Sequence, residues 1–244
     1  MRPRTMIVSL ALLVSPALAG PVLLEDERVL SAFAHSTDAG GDGVIDGPNI
    51  TALGTLAGFF SGTARADSAG GNFNSVSIAG ADQLSFFEQG SPFAFNASGS
   101  AQVLTKAREG ASLAEAHSTN SVRLLFDVDA DSAFELAGAM GRYANGGATS
   151  GVRVSIKREG SADALFERTA SGSFSTSGTL DAGRWIFEIL AEASVLNAGS
   201  GLTNATSGAF FGEITLSVVP APGPVAVLGA FAIFGVRRRR RNGP

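Results

Sequence analysis

The residues of this 244-residue chain best spaced for chemistry are carboxylates. Asp38, Asp42 and Asp46 fall at positions one, five and nine of a calcium-loop register, with Gly43 at six and Ile45 at eight. Position three is Gly40, and position twelve is Asn49 instead of a bidentate glutamate. No helical pattern flanks the stretch. Losing two oxygen ligands favours an acidic surface loop over a calcium site, and no other cofactor is called for. Asp127, Asp129 and Asp131 at i, i+2 and i+4 are expected to share one strand face, with Leu124 and Phe126 upstream in the same register. They form either a cation-binding row or, the favoured reading, the solvent side of an amphipathic strand.

Other chemistries lack their residues. Cysteine is absent, and His35 and His117 are the only imidazoles, which removes disulfides, thiolate metal sites and nearly all His-based zinc sites. No nucleophile elbow, His-Glu-x-x-His helix, Walker loop or dinucleotide fingerprint occurs. A glycosidase or lyase working with carboxylates alone stays open, because its acids need no local motif. Trp185 could stack on a sugar, but a lone Trp in an alternating apolar face is more often core. Tyr143, beside Arg142 and near Asn145, is the better candidate for an exposed aromatic.

The elements that must position these residues read as strands. Period-two alternation dominates, and helical periodicity is almost absent away from the two ends. Val122–Val128 is one strand, and Gly151–Lys157 another, with Val152, Val154 and Ile156 on one face. Trp185, Phe187 and Ile189 share a face of a strand running to about Ala193. Phe210–Val218 alternates with a slip, giving Phe211, Ile214, Leu216 and Val218 as inward residues. Gly/Asn/Asp clusters at Asp38–Gly43, Ala69–Gly71, Asn145–Gly147, Gly160–Asp163 and Gly199–Gly201 mark turns. From Ser61 to Ser118 the pattern is poorer, Ala, Ser and Gly alternating with few large apolar residues except Phe86, Phe87, Phe93 and Phe95. Edge strands of one sandwich are preferred there over a small-residue solenoid turn. The fold class expected is all-β: an antiparallel, jelly-roll-like β-sandwich over residues 20–218. Leu180-Asp-Ala-Gly183-Arg-Trp185 resembles the Leu-x-Ala-Gly-x-aromatic entry to a late strand of galactose-binding-like, jelly-roll ectodomains. That resemblance implies Gly183 at a turn and Trp185 in the core.

Both ends differ from this middle. Arg2 and Arg4, the apolar run Met6–Val14, Pro16 and the small-x-small site Ala17-Leu-Ala19 have the order of a secretory signal, residues 1–19, cleaved after Ala19. Glu25, Asp26 and Glu27 then stop the apolar run. At the other end stand Val219-Pro220-Ala221-Pro222-Gly223, an apolar run from Pro224 to Val236, and Arg237, Arg238, Arg239, Arg240 and Arg241. Thirteen residues at about 1.5 Å each reach only ~20 Å as a single transmembrane helix, and the arginines can snorkel to relieve the mismatch. Their charge keeps the tail's end cytoplasmic and the preceding chain outside. The order of parts over residues 219–244 resembles the PEP-CTERM sorting tail, here without the acidic residue of the usual Val-Pro-Glu-Pro motif. By that resemblance an exosortase-type membrane transpeptidase is the implied partner, cutting near Pro220–Gly223 at an envelope that makes extracellular polysaccharide.

Charge bounds the partners further. Seven of the 18 basic residues lie in the two ends, leaving 11 against 22 acidic residues and a net charge of −11 in the middle. Such a surface disfavours nucleic acid and anionic glycans. The three Asn-x-Ser/Thr sequons, at Asn49, Asn96 and Asn204, read as coincidence in a chain this rich in Ser and Thr. The function expected is a non-enzymatic surface or matrix protein associated with polysaccharide; the alternative is a secreted carbohydrate-active enzyme using acidic residues.

Overall fold

Side chains alternate between burial and exposure along almost every described segment, and each such segment is a strand. The computed structural model describes residues 20–38, 41–42, 50–53, 58–71, 75–90, 92–107, 113–198 and 203–220. Among these residues the strands are β1 (Val22–Asp38), β2 (Gly41–Asp42), β3 (Ile50–Leu53), β4 (Gly58–Ala69), β5 (Ser75–Glu88), β6 (Phe93–Ala107) and β7 (Leu113–Val128). They continue with β8 (Ser132–Asn145), β9 (Thr149–Arg158), β10 (Ala164–Arg168), β11 (Gly172–Leu180), β12 (Gly183–Ala198) and β13 (Thr203–Pro220). Two antiparallel sheets pack face to face as a β-sandwich. Sheet A runs β10-β9-β12-β7-β1, with β2 and β3 both on the free side of β1. Sheet B runs β11-β8-β13-β6-β5-β4.

The inner faces follow the alternation. Val152, Val154 and Ile156 are buried on β9, and Trp185, Phe187 and Ile189 on β12. In β13 the slip is a β-bulge: register shifts between Phe211 and Ile214 against β6 and between Gly212 and Thr215 against β8, and Glu213 takes a φ of 42°. Gly183, at φ 133°, opens β12, and the Trp185 indole N–H donates to the Asp181 carbonyl at 2.9 Å. One expectation is corrected. The stretch from Ser61 to Ser118 supplies one edge strand, β4, but β5 and β6 lie inside sheet B and β7 inside sheet A. Within the expected turn cluster Asp38–Gly43, Gly41 and Asp42 pair antiparallel with Asp38 and Thr37, the pairing of a chain reversal.

The poor pattern of that stretch has a physical cause. Inward residues shrink in the same direction along several long strands, with Val103 on β6 and Val195 on β12 the larger residues among the small ones. On β12 they run Trp185, Phe187, Ile189, Ala191, Ala193; on β7, read backwards, Phe126, Leu124, Val122, Asn120, Ser118, Ala116. β6 passes from Phe93 and Phe95 through Ala97 and Gly99 to Ala101, and β5 from Phe87 back to Ser77 and Ser75. The core is a wedge. Its wide end is an aromatic cluster in which Phe93 stands 4.9 Å from Phe87 and 5.0 Å from Phe126, ring centre to ring centre. At the narrow end serine hydroxyls reach the backbone of the opposite sheet: Ser77 Oγ to the His35 carbonyl at 2.7 Å, and Ser118 Oγ to that of Gln102 at 3.2 Å. A one-carbon side chain spanning the gap means the sheets there are closer than the ~10 Å usual between sheets.

Candidate functional site

The two outer faces carry different clusters. On sheet A, Glu188 lies among Lys157 (3.2 Å), Arg153 (3.6 Å) and Arg123 (3.9 Å), and Arg123 also meets Glu25 at 2.9 Å. Beneath these chains Leu125 and Ile186 are only 4% and 7% exposed, while Leu24, Phe33, Leu165 and Leu196 of the same sheet are open to solvent. On sheet B the large apolar side chains open to solvent are Phe59, Leu84, Phe86, Leu104, Tyr143 and Phe210.

Register decides how these residues are arranged. Tyr143 on β8 pairs with Gly208 on β13, and one step along the same strand pair Phe210 on β13 faces Gly141 on β8. Each strand thus supplies one aromatic and one glycine. A Cβ on Gly208 would stand 2.6–2.9 Å from Tyr143 ring atoms, and one on Gly141 would collide with the Phe210 ring. Both rings therefore lie over the neighbouring strand in the space a side chain would fill. Tyr143 is 50% and Phe210 48% exposed, so each ring keeps one side open to solvent.

The Tyr143 pair continues across the sheet, because Gly208 pairs with Gln102, Gln102 with Gly80, and Gly80 with Arg65. Gly80 leaves a trough between Arg65 and Gln102, and the groove formed there has a volume of about 430 Å³. Asp82, Ser100 and Leu104 line it, with Tyr143 at its β8 side. Ser100 Oγ donates to Asp82, and Gln102 Nε2 to Ser100 Oγ at 3.4 Å. Arg65 Nε meets Asp67 at 2.9 Å on the edge strand. Asp82 is the one carboxylate among the lining residues described.

The residues singled out by sequence are dispersed. Asp127 is the last outward residue of β7, which ends at Val128, while Asp129 and Asp131 lie in the connection to β8. The expected row on one strand face does not form, and Leu124 and Phe126 belong to the opposite, inner face. Asp38 and Asp42 stand in the paired β1–β2 segment, and Asp46 lies outside the described residues. No group of three or more His, Asp or Glu able to hold a metal occurs among the described residues. Val219 and Pro220 close β13, paired with Ala133 and Ser132 of β8. Ala17, Ala19, Ala221, Pro222, Gly223 and Arg237–Arg241 lie outside the described residues, as does the expected C-terminal helix. No helix among the described residues is long and apolar enough to cross a membrane. Tyr143 is exposed as its neighbours suggested, and Trp185, 6% exposed, belongs to the core. Sequence reasoning missed Phe210, Gln102, Gly80 and Arg65. Their one local signal is that Gly208 and Gly141 each stand two residues from an aromatic.

No protein-family model and no curated protein matches the chain.

Proposed function

We propose that the protein is an exported, non-enzymatic surface or matrix protein associated with extracellular polysaccharide. The cleaved signal over residues 1–19 delivers it across the membrane, and the PEP-CTERM-like tail over 219–244 holds it there until an exosortase-type enzyme cuts near Pro220–Gly223. We read the fold as jelly-roll-like, since consecutive strands from β6 to β9 and from β11 to β13 change sheet at every step. The observation that carries the binding reading is the outer face of sheet B, where a largely apolar groove bearing Arg65, Asp82, Ser100 and Gln102 has the half-exposed Tyr143 at its side, and the half-exposed Phe210 pairs with its Ser100. Sugars are recognised by that combination, with hydroxyls meeting side-chain amides and carboxylates and ring faces meeting aromatics. The chemistry needs no cofactor.

The alternative, a glycoside-cleaving enzyme, needs two carboxyl groups about 5–10 Å apart in one cleft. The groove offers Asp82 alone. A glycan array run beside a reducing-sugar assay tests both readings. Retention of polysaccharide without new reducing ends is the expected result; turnover sinks the scaffold reading, and no retention sinks binding.

A further inference from the structure

We infer that Tyr143, Phe210 and the trough over Gly80 together form a binding site for one chain of a neutral polysaccharide, laid across the strands of sheet B. This rests on the polysaccharide-associated reading and assigns it a place and a ligand class. Direction follows from register: Arg65, Gly80, Gln102, Gly208 and Tyr143 occupy one row through β4, β5, β6, β13 and β8. Four strand spacings of ~4.8 Å make that row ~19 Å long, enough for several sugar rings.

The aromatics are already in a binding posture. A ring lying over glycine keeps one side against the backbone and offers the other to the C–H face of a pyranose. The glycines make this possible, so little conformational freedom remains to be lost on binding. Between the rings and the edge strand, Gln102 can both donate to and accept from hydroxyls, Asp82 accepts, and Arg65 donates. Neutrality follows from charge. The one cation of the groove lining, Arg65, stands against Asp82 and is already paired with Asp67, so the site has no positive excess, while the middle of the chain carries a net −11 that repels uronate polymers.

The test uses the full chain purified in mild detergent, with titration calorimetry against hydroxyethyl cellulose, laminarin, dextran and polygalacturonate. Tyr143→Ala and Phe210→Ala remove the rings. Gly80→Val fills the trough, where the nearest atom to a new Cβ is the Ala64 carbonyl oxygen at 3.8 Å and a β-branched residue suits the strand. Emission of Trp185, the single tryptophan, reports whether each variant stays folded. The expected result is binding of at least one neutral polymer, weakened about tenfold by each substitution with unchanged Trp185 emission, and no binding of polygalacturonate. Neutral binding that all three variants retain overturns the site and leaves the broader reading standing. Failure to bind any of the four polymers overturns both. Preference for polygalacturonate overturns the ligand class. Concentration-dependent dimerisation lost in the ring variants, without glycan binding, would show that the face docks a second copy instead.

Discussion

At the residue scale, the interior holds one feature that its local sequence disguises. Glu25-Asp26-Glu27-Arg28 looks like a solvated charge run, yet Asp26 and Arg28 both point inward, their side chains 2% and 6% exposed. Arg28 Nε donates to Asp26 Oδ1 at 2.8 Å, Nη1 to Ser85 Oγ at 3.0 Å, and its guanidinium lies 5.5 Å from the Phe60 ring centre. Removing one partner strands the other charge in the core, so Arg28→Met is expected to cost about 3–5 kcal/mol. Arg28→Met with Asp26→Leu should recover most of that loss, as read from denaturant midpoints of the two variants and the parent. A double variant no more stable than Arg28→Met would show that the pair does more than satisfy itself. Trp185 is the simpler case, because its alternation with Phe187 and Ile189 announces a core residue. Trp185→Ala should cost about 3–5 kcal/mol in lost transfer energy and residual cavity. Short-wavelength native emission that resists acrylamide quenching is the companion observation; red, readily quenched emission would place the indole at the surface.

At the element scale, legibility follows side-chain size. β9, β12 and β13 were readable because Val, Ile, Phe and Trp alternate with polar residues, and even the slip in β13 shows as two successive outward residues before Ile214. β5 and β6 were not, because at the narrow end their inward residues are mostly Ser, Thr and Ala, with Val103 the one larger side chain, and hydropathy does not separate such a run from a loop. The Gly–aromatic exchange left only the two-residue spacing as a trace, since recognising it requires knowing that β8 and β13 pair across the 57 residues from 146 to 202. The wedge predicts an asymmetry in mutational tolerance. Ala191 sits 0% exposed where the sheets converge, so Ala191→Leu should overpack the gap and cost about 1–3 kcal/mol. Ile189→Val, one inward position toward the wide end, should cost only about 0.5–1.5 kcal/mol. Thermal melts of the two variants give the comparison, and equal tolerance would deny the taper. The bulge offers a second element-scale test. Glu213 holds a left-handed φ that costs a non-glycine residue about 1–3 kcal/mol, of which the entropy of glycine returns part. Glu213→Gly should therefore raise stability by about 0.5–1 kcal/mol, measured as an increased denaturant midpoint.

At the scale of the whole molecule, both boundaries of the described sandwich meet at its wide end. Val22 pairs with Asp127 at the end of β7, and Pro220 with Ser132 at the start of β8, on either side of one short connection. The chain segments that the signal and sorting readings assign to the membrane thus leave from the same place, and the row of groove residues runs across the strands away from that end. Composition pointed to the separate ends, but their convergence depends on strand order and was not legible. The arrangement predicts where the chain can be cut. β13 lies between β8 and β6 in sheet B, and Ile214, Leu216 and Val218 on it are each at most 1% exposed. Burying such side chains is worth about 1.5–3 kcal/mol apiece, so losing all three removes about 5–9 kcal/mol. That is the size of a whole domain's net stability, about 5–15 kcal/mol, and it would also open the edges of β6 and β8 where they pair with Ile214–Val218. A stop codon after Gly212 should accordingly yield a chain that does not fold. A stop codon after Pro220 keeps every pair of β13 with its neighbours, and should yield a chain whose melting temperature matches that of the full protein in the same detergent. Far-ultraviolet circular dichroism during heating separates the two truncations. A cooperative melt from the Gly212 truncation, or a large drop for the Pro220 one, would mean that the sandwich draws its stability from somewhere other than the centre of sheet B.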